Sequence, residues 1–236
     1  QFNAAAARIE ALVKTHKSLL ANASHELRSP LTRIRMGLEL MGGNQPSPAF
    51  REEILRNIAE LDQLVDEILL ASRLDAREAD VGTVELVDLI GLAAEECARV
   101  DAELDVTAVP EGLEVRGVAK LLRRALRNLL ENARRYSQGD ITVVLQRHDG
   151  QAQVSVLDRG PGVPPALRER IFEPFYRLPG ASERAGGVGL GLALVRSIAQ
   201  RHNGSVRCED QPDGSGGACF VLRLPLLSRP GTAAPA

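Results

Sequence analysis

The stretch RNLLENARRYS, residues 127–137, decides how most of the chain is read. It closes a helical pattern, AKLLRRALRNLLENARRYS (119–137), yet Asn is a poor helix-interior residue. Asn128 and Asn132 are four apart and share one helix face, with Arg135 three further on at roughly the same side. Side-chain oxygens and a cation on one face suit hydrated Mg²⁺ and phosphate oxygens, because Mg²⁺ takes oxygen ligands and keeps several waters. A polar face turned to solvent is the plain alternative.

Around this helix, helical and extended patterns alternate. DLIGLAAEECARV (88–100) and LGLALVRSIAQRHNG (190–204) read as helices, the second with Gly204 just past its end. LDVTAV (104–109), DITVVLQR (140–147), QVSVLD (153–158), SVRCED (205–210) and CFVLRLP (219–225) read as strands. In VLDRGPG (156–162), Asp158 ends a strand and runs into Gly160 and Gly162. A carboxylate at such a turn can accept a hydrogen bond from an exocyclic amine such as that of adenine, although many surface turns have this form. In GGVGLGLALVRSI (186–198), glycines lead into an amphipathic helix, which aims backbone N–H groups at an anion such as phosphate. The spacing is not that of a P-loop. IFEPFYR (171–177) is aromatic-rich in a chain with only 3% aromatics, and the polar loop LPGASERAGG (178–187) after it suits a mobile lid. In this order within one α/β domain, the stretches are far more specific than any one alone.

The first third is different. Ile9, Leu12, Leu19, Ala23, Leu27, Leu31 (or Ile34), Leu38 and Met41 recur mostly three or four apart, a helical stripe. GGNQPSP (42–48) ends it. A second stripe follows: Phe50, Ile54, Ile58, Leu61, Val65 and Ile68. The short connection makes an antiparallel helical hairpin. Two helices cannot enclose a core, so pairing of two copies into a four-helix bundle is the natural remedy, and packing on the rest of the chain is the alternative. Within LLANASHELRSPLTRI (19–34), His25 lies ~200° around the helix from Ala23 and so projects away from the hairpin core. Pro30 lacks the N–H that the Glu26 carbonyl would use, which implies a bend or loosening beside His25. His16, His148 and His202 read as solvated or structural.

The chain has 236 residues, 44% hydrophobic and 25% charged, as in ordinary globular proteins. A net charge of −2 and the lack of Trp argue against direct nucleic-acid binding. Cys97, Cys208 and Cys219 have no CxxC spacing and suit a reducing cytoplasm. No apolar run reaches the ~18 residues of a membrane span. The chain opens mid-helix without an initiator Met and reads as a fragment.

ASHELRSPL, NLLENARRYS, DRGPG, FEPFYR and GVGLGL resemble the H, N, G1, F and G2 boxes of bacterial sensor histidine kinases, in family order. GSGGACFVLRLP resembles the family's closing glycine-rich segment, and FNAAAARIEALV resembles the end of a HAMP signalling module. The resemblance implies a HAMP end (1–17), a dimerisation and phosphotransfer hairpin forming an antiparallel four-helix bundle (18–78) and an ATP-binding α/β sandwich of the type shared with Hsp90, MutL and DNA gyrase (85–227); ADVGTV (79–84) reads as a linker between them, and the composition of SRPGTAAPA (228–236) reads as a disordered tail. It implies a membrane-spanning portion upstream, placing the full-length protein in the bacterial inner membrane and this part in the cytoplasm.

The resemblance also implies roles. His25 would accept the phosphoryl group from ATP, with Glu26 as base, and pass it to an aspartate in the receiver domain of a cognate response regulator. Asp158 would contact the adenine amino group. Asn132 would coordinate Mg²⁺ with Asn128 supporting it, Arg135 would meet phosphate, and Tyr136 would line the pocket. Gly160, Gly162, Phe172, Phe175, Gly187, Gly189, Leu190, Gly191 and Leu192 would complete the ATP site. Ser29 stands where the family usually has Thr, a residue that helps position water for dephosphorylating the regulator. Serine keeps the hydroxyl without the stiff β-branched rotamer, so phosphatase activity stays open. The competing readings are a plain ATPase, whose class uses Glu where this chain has Asn128, and a nucleotide-binding scaffold without turnover.

Overall fold

The computed structural model describes residues 22–39, 47–76, 82–109, 111–137, 139–178, 188–214 and 216–226. The expectations for the HAMP end, the GGNQPSP turn, Gly187 and the tail therefore lie wholly or mostly outside the described residues. The chain divides into two compact units, residues 1–73 and 74–236.

The first unit is the helical hairpin. Helix α1 is continuous over its described residues 22–39, and α2 spans Pro48–Asp75. Three cross-helix contacts pair positions that run in opposite directions, so the helices are antiparallel. Gly37 lies under the Phe50 ring, where a Cβ would stand 2.5 Å from Cε2. Further along, the Arg33 guanidinium donates to Asn57 Oδ1 (2.7 Å) and Glu60 Oε2 (2.8 Å). Asn57 is buried and donates in turn to the Glu53 carbonyl at 2.8 Å, so its amide is satisfied at both ends.

One expectation needs correction here. The seam of α1 is built by Ala23, Pro30 and Gly37, each seven apart and all buried, while Leu31 and Leu38 are exposed. On α2 the buried positions include Asn57 and Leu64, while Ile58 and Val65 are exposed. The apolar residues outnumber the positions that face the sister helix, so part of the stripe points outward. α1 is helical on both sides of Pro30. Pro30 removes one hydrogen bond, and flanking contacts bridge the gap: Thr32 Oγ1 donates to the Arg28 carbonyl (2.8 Å) and Arg33 to Ser29 Oγ (3.3 Å).

The second unit is an α/β sandwich. Its elements are β1 (Glu85–Asp88), α3 (Leu89–Ala98), β2 (Glu103–Asp105), β3 (Glu114–Gly117), α4 (Ala119–Tyr136), β4 (Thr142–His148), β5 (Gln151–Leu157), α5 (Gly191–Arg201), β6 (Ser205–Glu209) and β7 (Cys219–Pro225). A five-stranded sheet runs β2-β4-β5-β7-β6, with β2 parallel to β4 and the other pairs antiparallel. β1 and β3 form a separate antiparallel ribbon. Neither was foreseen. The expected strand LDVTAV stops at Asp105, because Asp105 Oδ1 accepts from the Thr107 amide (2.9 Å) and hydroxyl (2.7 Å) and turns the chain.

The sheet carries ladders of apolar cross-strand neighbours, Val143–Val156–Phe220 and Leu145–Val154–Leu222–Val206, all buried. Against it pack the apolar faces of α3, α4 and α5, where Leu121, Leu122, Leu126, Leu129 and Leu130 on α4 are nearly inaccessible. α3 is tied to α4 by the buried Glu96. Its carboxylate takes a two-pronged bond from Arg127 (2.9 and 2.8 Å) and a longer one from Arg123 (3.3 Å). The Arg127 bond is the main reason that the Glu96 pKa lies below the usual range, against the opposing effect of burial.

Candidate functional site

Asp158 follows the last residue of β5 and is only 3% exposed. Its Oδ1 accepts from the amides of Gly160 (2.8 Å) and Ala218 (3.2 Å), which fixes the carboxylate against its own turn. Its Oδ2 accepts nothing among the described residues. A buried carboxylate with one oxygen spent and one open is poised for a single donor, and an exocyclic amine is such a donor.

Glycines let the surrounding segments close on this turn. A Cβ on Gly160 would stand 2.7 Å from the Tyr136 carbonyl, so the turn lies directly against the end of α4. Ser137 Oγ, one residue on, accepts from the Arg159 amide at 3.0 Å. Gly162, at φ +71°, leaves room for the Gly217 carbonyl.

The buried Asn128 donates from Nδ2 to the Gly191 carbonyl (3.1 Å), which fastens the middle of α4 to the start of α5. α5 has no side-chain cap at its N-terminus, so its first N–H groups keep their capacity for an anion. Asn132, one turn beyond Asn128, is half-buried, and its side chain makes no hydrogen bond among the described residues. Its amide oxygen fits Mg²⁺ carried in by phosphates, which needs few protein ligands. No group of three or more acidic, His or Cys side chains that could hold a metal exists among the described residues. Arg135 is exposed on the same helix, and Tyr136 is half-buried.

The aromatic segment closes another side. The Phe175 amide donates to the Gly189 carbonyl at 2.9 Å, and Phe175 itself adopts φ +63°. A Cβ on Gly189 would meet the Phe175 backbone at 2.9 Å, so glycine is required there by both φ (+79°) and space. Two expected ligand-lining residues are core instead. Phe172 is 2% exposed, set edge-on to Phe220 (6.4 Å) under the Arg196 guanidinium (4.8 Å), and Leu190 is 0% exposed. Neither offers surface to a ligand. Apolar side chains inside a binding motif are as free to anchor the motif as to line it. Leu192 is half-buried.

On the hairpin, His25 and Ser29 are exposed and Glu26 is half-buried, with His25 about 200° around α1 from the buried Ala23.

Sequence reasoning missed Glu96 and Gln211 and left the role of His202 general. Glu96 was legible in principle, as an acid in an apolar helix with Arg123 and Arg127 four apart elsewhere. His202, read as solvated or structural, closes α5: Nδ1 donates to the Ile198 carbonyl (2.7 Å) and Nε2 accepts from the Val118 amide (3.0 Å), at the start of α4. Gln211, in the β6–β7 loop, left no local signal. The three cysteines are free and buried, and burial pushes the thiols up, to about 11 for Cys97 and Cys219 and about 12 for Cys208, which makes them poor nucleophiles.

Comparison with known proteins agrees with this geometry. Residues 15–77 match the His Kinase A (phospho-acceptor) domain. Residues 117–228 match the Histidine kinase-, DNA gyrase B-, and HSP90-like ATPase. The chain is 36% identical over 234 residues to the sensor histidine kinase CpxA of Escherichia coli (strain K12), covering 97% of this chain and 51% of that protein. It thus spans about half the length of that curated relative. The structure of the mycobacterial sensor histidine kinase MprB is 32% identical, with a TM-score of 0.53 over 61% of this chain and 98% of that one. The fold is also shared with the histidine kinase ThkA, solved in complex with the response regulator protein TrrA, at a TM-score of 0.66 and 22% identity over 89% of this chain and 61% of that one. With a phosphoacceptor hairpin followed by an ATPase-type sandwich, the chain belongs to the bacterial two-component sensor histidine kinases.

Proposed function

We propose that the chain is an ATP-dependent histidine autokinase that phosphorylates His25 and hands the phosphoryl group to an aspartate of a response regulator. The observation that carries the reading is the open Oδ2 of buried Asp158, set on the turn that closes against α4, whose Asn128 is fastened to the uncapped start of α5. In this reading Asp158 selects the base and Asn132 contributes a Mg²⁺ ligand. Arg135, Tyr136, Phe175, Gly160, Gly162, Gly189 and Gly191 shape the phosphate and base pocket. Mg²⁺, when bound, neutralises phosphate charge during transfer.

Balance of the step assigns the remaining roles. One ring nitrogen of His25 attacks the γ-phosphorus, an N–P bond forms, the P–O bond to the β-phosphate breaks, and ADP leaves. The proton on the other ring nitrogen passes to Glu26, which as a neighbouring carboxylate is suited to accept it. In the second step the N–P bond breaks as the regulator's aspartate takes the phosphoryl group as an acyl phosphate. The exposure of His25 supports reach by both partners. A hydroxyl at Ser29 suits the reverse task, dephosphorylation of the regulator.

The outward apolar residues Leu31, Leu38, Ile58 and Val65 support a homodimer that completes a four-helix bundle. Among the described residues no helix is long and apolar enough to cross a membrane. We assign the membrane anchor of the whole sensor to sequence upstream, following the resemblance of residues 2–13 to a HAMP end.

Incubation with γ-labelled ATP and Mg²⁺ tests the reading. Acid-labile, alkali-stable label should appear on the protein and vanish, by more than about a hundredfold, in His25→Ala. Free phosphate without label would indicate a plain ATPase, and label persisting in His25→Ala would displace the acceptor.

A further inference from the structure

Asp158 is held from behind by the loop that joins β6 to β7. The Asp158 amide donates to the Ala218 carbonyl at 3.0 Å, extending the β5–β7 ladder by one step. Past that point the ladder ends, and the Asp158 carbonyl has no strand partner. Gln211 supplies one: its Nε2 donates to that carbonyl. Gln211 is 6% exposed, so the bond is shielded from water. Gly217 stands at φ +93°, and a Cβ there would overlap the Asp158 carbonyl and come within 2.9 Å of the Gln211 amide. The glycine therefore clears the space in which carbonyl and amide meet. Flanking ion pairs, Arg168 with Asp210 and Arg159 with Asp213 (3.4 Å), secure the same loop to the segment that follows Asp158.

We propose that Gln211 is a positioning residue for base recognition: it fixes the peptide that follows Asp158, so that Oδ1 stays on the Gly160 and Ala218 amides and Oδ2 stays turned to the nucleotide. The chain of cause is short. The Asp158 carbonyl begins the peptide to Arg159, and the next amide, that of Gly160, is the donor that orients the carboxylate. Without Gln211 the peptide can rotate, the Gly160 amide leaves its line, and the carboxylate loses its single orientation. The inference rests on Asp158 being the residue that reads the base.

The test is calorimetric titration of the whole chain with ADP and with the ADP analogue that lacks the 6-amino group. Gln211→Met keeps the volume and removes the donor; Gln211→Glu sets a carboxylate against the carbonyl as a second probe. Both should weaken ADP about tenfold while leaving the analogue within about twofold of wild type. Combined with Asp158→Asn, Gln211→Met should add almost nothing, because both changes remove one interaction. A residue that merely staples the loop would weaken both nucleotides alike and add fully to Asp158→Asn, and either result overturns the proposal. If Asp158→Asn itself does not distinguish the two nucleotides, the reading of Asp158 fails and this inference falls with it; if Asp158→Asn is selective and Gln211→Met is not, only the inference falls.

Discussion

The two units solve the problem of burying polar groups in opposite ways. In the sandwich, the charged and amide groups that matter are enclosed and tied: Glu96 to two arginines, Asn128 to Gly191, Asp158 to three backbone partners. Their positions follow from a dense apolar core of leucines and valines. In the hairpin, the seam is thin, made of Ala23, Pro30 and Gly37 with one polar clasp, and the residue assigned to chemistry stands in solvent. Large apolar side chains remain on its outside, among them Leu31, Leu55, Ile58, Val65 and Leu69. A nucleotide site must be preorganised, whereas a phosphoryl acceptor must be reached, first by one partner and then by another.

The largest effect is expected where the sandwich depends on enclosure. Glu96→Ala leaves Arg127 and Arg123 without their shared acceptor. Both guanidinium groups can turn partly to water, with side chains 30% and 37% exposed, so the cost should fall below that of a fully buried pair, at about 2–3 kcal/mol. Urea unfolding followed by circular dichroism reads it; a loss below about 0.5 kcal/mol would show that enclosure contributes little to this unit. A smaller and purely associative effect is expected in the hairpin. Val65→Lys places a charge on the outward apolar face of both copies, and should weaken self-association by at least about tenfold in sedimentation. ADP affinity should stay unchanged. A drop in ADP affinity would mean that the two units are not independent in this respect.

The contrast also governs what could be read beforehand. β7 has the bounds its alternation suggested, Cys219–Pro225, and the Asn128/Asn132 face and the Asp158 turn stand out because polar groups and glycines sit where packing alone would not put them. The hairpin seam was harder. Leu31, Leu38, Ile58 and Val65 fit a helical repeat as well as the true seam does, and periodicity cannot tell an inward stripe from an outward one. β1 and β3 escaped because each is four residues long and finds its partner across the whole of α3 and β2. Gln211 and His202 act on backbone groups 53 and 84 residues away, and such contacts leave no mark on the neighbouring sequence.

His202 yields the smallest effect and the finest test of enclosure. It joins the end of α5 to the start of α4, opposite in direction to the Asn128–Gly191 link, so the two helices that frame the site are fastened at two points. Because Nδ1 donates to Ile198, Nε2 must be the unprotonated nitrogen that accepts from Val118. Protonation would set a donor against a donor. Burial is the main cause that holds the His202 pKa below its ordinary value. The Arg201 charge adds to this, and the Ile198 carbonyl opposes it. Between the folded value and about 6.5 the unfolded chain therefore binds the extra proton, so this contribution is complete above pH ~6.5 and is lost as pH falls toward the folded pKa. Unfolding of wild type and His202→Gln at pH 8 and pH 5.5 isolates it, since glutamine retains an acceptor that does not titrate. The wild type should lose more stability than the variant over that interval, and parallel losses would mean that His202 is not held neutral by its place between the two helices.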